Sequence, residues 1–230
     1  MRRNIQPEIM DGCVELHRHR RALAGLSRLN ACSRSPQIIW SAVRQYARQT
    51  NRSSLSLLDV ATGAGDVPIA LFHLARRAGV ELKLSACDTS ETALEFARHS
   101  AARSAADVDF FRLDALQDPL PSGFDIIASS LFLHHLQTDD AAGLLQKMAA
   151  STNGLIIVND LRRTWAGWAL AFAAGRLLTR SDVVRVDSLL SVRAAFTISE
   201  ARSLAHRAGL SGATVTPVWP QRYRLIWTRQ

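Results

Sequence analysis

Residues 55–66 read LSLLDVATGAGD, and this stretch decides the fold. An apolar run of strand length ends near Asp59, and a turn that contains Gly63 and Gly65 leads into the helical pattern PIALFHLARRA. Glycine has no Cβ atom, so it suits positions where the backbone turns sharply and approaches a ligand. A strand, a glycine turn and a helix in this order predict a binding loop whose ligand lies at the carboxyl end of the strand.

The same rhythm of strand and helix continues along the chain. The apolar segments LKLSAC, VDFFRL, FDIIASSL and GLIIVN predict further strands, with helical patterns at ETALEFARHSA and near residues 139–150. Continuous apolar strands that alternate with helices are typical of a parallel sheet covered on both faces. The final segments ATVTPVW and YRLIW predict a hairpin. We therefore predict an α/β, Rossmann-like fold with a seven-stranded, mostly parallel sheet and an antiparallel last strand.

The N-terminal part of the chain has a different pattern. Residues 8–29 and 36–49 carry apolar side chains at helical spacing, which predicts two helices. We expect residues 1–52 to form a helical cap and residues 53–230 to form the main domain.

An apolar segment interrupts the rhythm after the fifth strand. Residues 165–190 predict a helical insertion, and we interpret 163–192 as a lid on the domain. Thr197 and Glu200 have the spacing of a capping box, which predicts that a further helix starts there.

The charge of the chain is uneven. The sequence has 28 basic and 20 acidic residues, a formal net charge of +8, and residues 1–50 alone hold nine Arg against three acids. Such a basic segment can attract phosphate, an anionic lipid surface or an acidic carrier protein. A solvated basic face without a partner is the competing interpretation.

Composition also restricts the compartment. The three cysteines have no CxxC spacing, which argues against a disulfide framework or a zinc site and favours a reducing, cytoplasmic location. Glu8 and Asp11 stand where a secretory leader would be apolar, so we expect no leader. The most apolar stretch, 165–178, is shorter than the roughly 20 residues that a membrane span needs.

The loop that follows the first strand has acidic residues on both sides. Asp59 and Asp66 would repel a pyrophosphate, and Pro68 stands where a dinucleotide fingerprint has its third glycine. NAD and FAD are therefore disfavoured, and a cationic ligand is favoured.

The segment LLDVATGAGD, residues 57–66, resembles the first motif of class I S-adenosylmethionine-dependent methyltransferases. It is close to the form found in ubiquinone and menaquinone biosynthesis methyltransferases, and it departs from the fullest glycine pattern at Ala61. The resemblance extends from about Leu55 to the C-terminus. It implies S-adenosylmethionine as cofactor and methyl transfer as the reaction.

The same resemblance implies a set of cofactor-binding residues. Asp88 would accept hydrogen bonds from the ribose hydroxyls, and Asp114 would accept one from the adenine amino group. Each of these acids taken singly could equally be a helix cap or a turn residue. The implied set is Asp59, Ala61, Gly63, Gly65, Asp66, Asp88, Thr89, Asp114, Ala115, Ser129, Ser130 and Leu131.

Methyl transfer needs a group that removes a proton from the acceptor. His134 and His135 follow the fourth strand, and Asp160 ends the fifth, so these three are the candidate catalytic residues. A structural hydrogen bond for either histidine, and a capping or ion-pair role for Asp160, are the competing interpretations. Because Asp160 is the one carboxylate available at these strand ends, we expect no metal.

The insertion suggests the acceptor. Trp165, Trp168 and Phe172 could line a pocket for a hydrophobic small molecule, or they could pack the lid onto the domain. O-methylation of a phenolic, polyketide or quinol-like acceptor of secondary metabolism is the leading hypothesis, and C-methylation of a quinone precursor is close to it. The rivals are an RNA-binding methyltransferase that uses the Arg-rich N-terminus and a cofactor-binding domain without catalysis. Ser-Ser-Leu-Phe stands where amino methylases carry Asn/Asp-Pro-Pro-Tyr/Phe, so nucleic acid is disfavoured.

Overall fold

The computed structural model describes residues 1–6, 34–178 and 182–229. Its strands are β1 Ser54–Val60, β2 Glu81–Asp88, β3 Asp109–Arg112, β4 Phe124–Ser130, β5 Thr152–Leu161, β6 Thr214–Val218 and β7 Arg222–Thr228. Its helices are α1 Ser35–Gln49, α2 Asp66–Arg77, α3 Glu91–Ser104, α4 Thr138–Ser151, α5 Trp165–Leu178, α6 Asp182–Ala194 and α7 Ile198–Arg207, with a 3₁₀ turn at Leu133–His135.

The seven described strands form one sheet in the order β3-β2-β1-β4-β5-β7-β6. Strands β1 to β5 are parallel, and β7 runs antiparallel to both of its neighbours, β5 and β6. The predicted fold and the reversed last strand are confirmed. The strand order changes direction between β1 and β4, and ligands of open α/β sheets bind at such a switch point.

The sheet is buried on both faces, as its continuous apolar strands predict. Ile127 packs against residues of α4 and α7, whereas its neighbour Ile126 packs against residues of α1 and α2. Both side chains are fully buried. Successive side chains of a strand thus pack into cores on opposite faces of the sheet. Because both faces are covered by helices, the carboxyl ends of the parallel strands remain available for a site.

The predicted helices agree with the structure wherever the structure describes them. The helix expected at 36–49 is α1, the helix near 139–150 is α4, and the insertion consists of α5 and α6, which pack against each other. The predicted helix at 8–29 lies outside the described residues. The capping box is present, because Glu200 N donates to Thr197 Oγ1 and Thr197 N donates to Glu200 Oε2.

Across the described ranges, no helix combines the length and the apolar character that crossing a bilayer requires.

Candidate active site

The loop after β1 has an unusual backbone. Ala61, Gly63 and Gly65 all have φ between +56° and +72°. In this left-handed region an L-residue such as Ala61 costs about 1–2 kcal/mol, whereas glycine adopts it freely. Strain that a fold retains is typical of functional loops.

The two glycines of the loop serve different purposes. A Cβ atom at Gly63 would have no described atom within 4 Å beyond its chain neighbours, so this position faces open space. A Cβ atom at Gly65 would lie 2.8 Å from the Ala97 Cβ atom and 3.0 Å from the Phe110 ring. The absence of a side chain at Gly65 therefore allows the loop to pack against α3 and β3, and its predicted role in cofactor binding stays a prediction.

Asp59 is buried at the carboxyl end of β1 with an incomplete set of hydrogen bonds. Its Oδ2 atom accepts a hydrogen bond of 2.7 Å from the Thr62 hydroxyl, but its Oδ1 atom finds no donor among the described residues. Burial raises the pKa of Asp59 to about 7, and the nearby Asp66 and Asp88 also raise it, while Thr62 lowers it. A buried, unsatisfied carboxyl oxygen is costly, so this position suits a ligand that brings a donor or a positive charge.

Asp88 connects the loop to the end of β2. Its carboxylate accepts hydrogen bonds from Gly63 N at 2.8 Å and from Ser90 N at 2.9 Å. Each oxygen keeps a further lone pair, so these bonds leave capacity for hydroxyl donors. The structural role and the ligand role that the sequence left as alternatives are compatible at this residue. Thr89, which follows, is exposed.

Asp114 also makes local hydrogen bonds. Its Oδ1 atom accepts from Leu116 N at 2.9 Å and from Gln117 N at 3.2 Å, which makes it a turn residue. Ala115 beside it is buried, and Asp66 lies half-buried in the first turn of α2.

The end of β4 joins the neighbouring strands. Ser129 is fully buried and donates to the Val60 carbonyl at 3.1 Å, a bond between β4 and β1. Ser130 accepts from Asn159 Nδ2 at 2.9 Å, and Leu131 N donates to the Asn159 carbonyl. Leu131 has φ of +59°, so strained non-glycine residues end both β4 and β1, at the edge where the strand order reverses.

His134 and Asp160 form a buried pair. The two side chains approach at 2.6 Å between Nδ1 and Oδ1, and His134 N donates to Oδ2 at 3.1 Å. Burial alone would raise the pKa of Asp160, but His134, His135 and the Leu161 N–H outweigh it and keep that pKa low. Asp160 is therefore an ionised acceptor, and His134 Nδ1 carries the proton that it accepts.

His135 completes the group of candidate catalytic residues. Its ring centroid lies 4.3 Å from that of His134, with 34° between the ring planes. His135 is half-buried, whereas His134 and Asp160 are only 3% and 0% exposed. The structure thus brings together all three residues that the sequence nominated for proton chemistry.

Two residues of the site, Tyr223 beside this pair and Thr62 beside Asp59, were not predicted from the sequence. Tyr223 lies opposite Asp160 in the β5–β7 register, fully buried, and its hydroxyl finds no hydrogen-bond partner within the described ranges. Burial, with Asp160 adding to it, raises the pKa of Tyr223. In the sequence Tyr223 is one aromatic residue of an apolar strand, so no local pattern marks it. Thr62 lies within the recognised loop but carries no separate signal.

The aromatic residues of α5 have unequal surroundings. Trp168 and Phe172 stack with 5.7 Å between ring centroids, and the Arg176 guanidinium lies 3.6 Å from the centroid of Phe172. Trp165 is 71% exposed. Trp168 and Phe172 therefore form one aromatic surface, while Trp165 lies at the solvent boundary.

Known proteins share this fold and part of this sequence. Residues 57–153 match the methyltransferase domain family. Magnesium protoporphyrin IX methyltransferase from Synechocystis with bound SAH, S-adenosylhomocysteine, is 17% identical over 96% of this chain and 90% of its own, with a TM-score of 0.59. No curated protein matches the chain by sequence.

Two longer proteins are similar over most of this chain. The S-adenosylmethionine-dependent methyltransferase SibL is 19% identical over 87% of this chain, with a TM-score of 0.64. An O-methyltransferase family 2 protein from Planctomyces limnophilus in complex with apigenin is 18% identical over 76%, with a TM-score of 0.57. This chain spans 56% and 50% of their respective lengths.

The sheet order and the reversed β7 match the Rossmann-like methyltransferase fold, and residues 57–153 match a methyltransferase domain. The cofactor of methyltransferases with this fold is S-adenosylmethionine.

Proposed function

We propose that this chain transfers a methyl group from S-adenosylmethionine to the hydroxyl of a hydrophobic small molecule, with a phenolic, polyketide or quinol-like acceptor. The observation that carries the proposal is the buried His134–Asp160 pair at the same sheet edge as the Asp59 loop. His134 can accept a proton there, and Asp59 can hold a positively charged cofactor.

The residues present fit the cofactor. Asp59 offers a buried oxygen without a donor, and Gly63 faces open space where a side chain would intrude. Asp88 and Asp114 would accept hydrogen bonds from the nucleoside, as the family resemblance implies. When bound, S-adenosylmethionine supplies a methyl group on a positively charged sulfur.

His134 is the group we assign to the acceptor proton. Asp160 fixes the ring through Nδ1, which leaves Nε2 as the nitrogen that can accept, and the carboxylate offsets the charge that the ring gains. A phenol has an ordinary pKa of about 10 and an imidazole about 6.5, so full deprotonation beforehand would cost about 5 kcal/mol. Proton removal must therefore accompany methyl transfer. His135, stacked on His134, is the alternative base.

The acceptor class is inferred from α5. Trp168 and Phe172 present adjoining aromatic rings, which suit an aromatic or long-chain ligand. The apigenin complex of the Planctomyces limnophilus protein supports a phenolic acceptor. C-methylation of a quinone precursor, in keeping with the ubiquinone-type motif, would use the same base and aromatic surface. We place this activity in cytoplasmic secondary metabolism.

Radiolabelled methyl transfer into a cell extract tests the proposal. We expect label from S-adenosylmethionine to enter the organic-soluble small molecules with the wild-type chain, and about a hundredfold less with His134→Gln. His99→Gln, a change on α3 outside the candidate site, is the matched control. Label found in RNA or protein, or equal labelling by His134→Gln, would contradict the proposal.

A further inference from the structure

Arg3 joins the end of α6 to the turn that carries His134. Its Nε atom donates to the Ala194 carbonyl at 2.6 Å, and its Nη2 atom donates to the Leu136 carbonyl at 2.8 Å. Ala194 is the last residue of α6, and Leu136 directly follows the 3₁₀ turn. One guanidinium therefore bridges two elements that are remote in sequence.

Further contacts hold the same side chain in place. Nη2 also lies 3.5 Å from the His134 carbonyl, and Nη1 lies 3.5 Å from the Thr138 hydroxyl. The guanidinium carbon lies 3.8 Å from the centroid of the Phe196 ring, a cation–π distance. Every part of the planar group is engaged, so its position is closely defined.

The turn of His134 is consequently held from two sides. Asp160 binds the His134 N–H and Nδ1, whereas Arg3 binds the carbonyls of His134 and Leu136. The carbonyls at the end of a helical turn have no partners within the turn and favour a cationic donor. Without that donor, the turn would keep Asp160 and its own backbone hydrogen bonds, such as Leu136 N to the Leu133 carbonyl, but would lose the cationic donor to the carbonyls of His134 and Leu136.

We propose that Arg3 is a positioning residue, which orients the His134 imidazole by tying its turn to the C-terminal end of α6. The inference rests on the proposed function, because it gives the orientation of His134 a purpose. It adds that Arg3 couples the position of α6, which also contacts the 3₁₀ turn directly, to the geometry of the base. A purely structural Arg3 would anchor the N-terminal residues without affecting the ring of His134.

The chemistry of the contacts requires arginine. A guanidinium presents donors in a planar fork that can reach two carbonyls at once, whereas the lysine ammonium is a compact donor on a flexible stem. Arg2 offers the matched control, because it has the same charge, is exposed and is adjacent in sequence.

The test follows the His134 ring by NMR on the full chain labelled with ¹⁵N at histidine. His134→Gln identifies its signals by their loss. We expect a protected Nδ1 proton in the wild type and in Arg2→Ala. In Arg3→Ala and Arg3→Lys we expect exchange of this proton with solvent to be about tenfold faster, the scale of one lost hydrogen bond to a charged group.

The outcomes separate this inference from the proposed function. Unchanged exchange in folded Arg3→Ala and Arg3→Lys, or the same change in Arg2→Ala, would overturn the positioning role. If Arg3→Ala does not fold, Arg3→Lys decides. Calorimetry with S-adenosylmethionine, whose loop Arg3 does not contact, should give the wild-type Kd in Arg3→Lys; a wild-type chain that binds no cofactor would refute the proposed function alone.

Discussion

Gly63 and Gly65 are two positions apart in the loop, yet a side chain at each would meet different surroundings. We expect Gly63→Val to fold with a loss of about 1–2 kcal/mol, because of its φ of +56°, and to lose at least tenfold in affinity for S-adenosylmethionine, because the new side chain enters the open space at the loop. Gly65→Val should lose about 3 kcal/mol of unfolding free energy, because its Cβ atom overlaps Ala97 and Phe110 at an unfavourable φ. Calorimetry and urea unfolding distinguish the two effects, and equal behaviour of both variants would contradict this division of roles.

Asp59 gives the folded chain a pH dependence of predictable sign. Its ordinary pKa is 3.8, and burial raises it to about 7 in the native state. Between these values the native state holds a proton that the unfolded chain has lost. The free energy of unfolding should therefore fall as pH rises from about 4 to about 7, by at most about 1.4 kcal/mol per pH unit, and Asp59 should add no slope above that.

Asp59→Asn should remove this contribution, whereas Asp109→Asn, an exposed carboxylate on β3, should keep it. A cationic ligand favours the ionised form of Asp59, so affinity for S-adenosylmethionine should rise toward pH 7 in the wild type and less in Asp59→Asn. Urea titrations and calorimetry at several pH values measure both. A wild-type pH profile that matches that of Asp59→Asn would show that Asp59 does not titrate as described.

The pairing of His134 with Asp160 shows where prediction from sequence stops at the scale of residues. Each residue could be nominated, because both follow apolar strands whose carboxyl ends meet at one edge. The hydrogen bond between them could not be predicted, because it depends on the 3₁₀ turn that brings His134 back to β5. The contact of Arg3 with Leu136 joins residues 133 positions apart and leaves no local pattern.

At the scale of elements, the periodicity of apolar residues predicted most of the strands and helices. Continuous apolar strands predicted the parallel sheet, and the two short segments around Pro220 predicted the hairpin that reverses β7. The insertion was predicted as helical, but the unequal exposure of its aromatic residues was not. The all-round apolar character of α5 hides which side faces solvent, since periodicity marks a face only where polar residues alternate with apolar ones.

That unequal exposure leads to a prediction about α5. Trp168→Ser should raise the acceptor KM about tenfold or more, because it removes half of the stacked pair with Phe172. Trp165→Ser, at a side chain already 71% exposed, should have a smaller effect. Steady-state kinetics with the labelled acceptor measure both, with cofactor Kd as the control. A larger effect from Trp165→Ser would place the acceptor on the outer side of the helix.

At the scale of the whole molecule, the net charge of +8 and the buried His134 favour different kinds of substrate. The Arg-rich N-terminal segment could bind nucleic acid through phosphates, without reading bases. His134 and Asp160, however, are almost completely buried, so a nucleobase of the RNA would have to leave its stack to reach them. Charge alone therefore favours the RNA rival, whereas the site favours a small molecule.

Ionic strength separates these two partners. We expect any binding of a labelled single-stranded RNA to be nonspecific, with log K falling against log salt by about 0.7 for each phosphate contacted, since released counterions drive it. Methyl transfer to the small-molecule acceptor should change little over the same range, because an uncharged ligand releases no counterions. Fluorescence anisotropy measures the salt dependence of RNA binding, and methyl-transfer assays measure that of the activity. Both are made between about 50 and 300 mM salt, where nonspecific affinity for nucleic acid falls steeply. RNA that is methylated, with an activity that falls along the same salt slope as its binding, would make nucleic acid the substrate and the basic segment its binding surface.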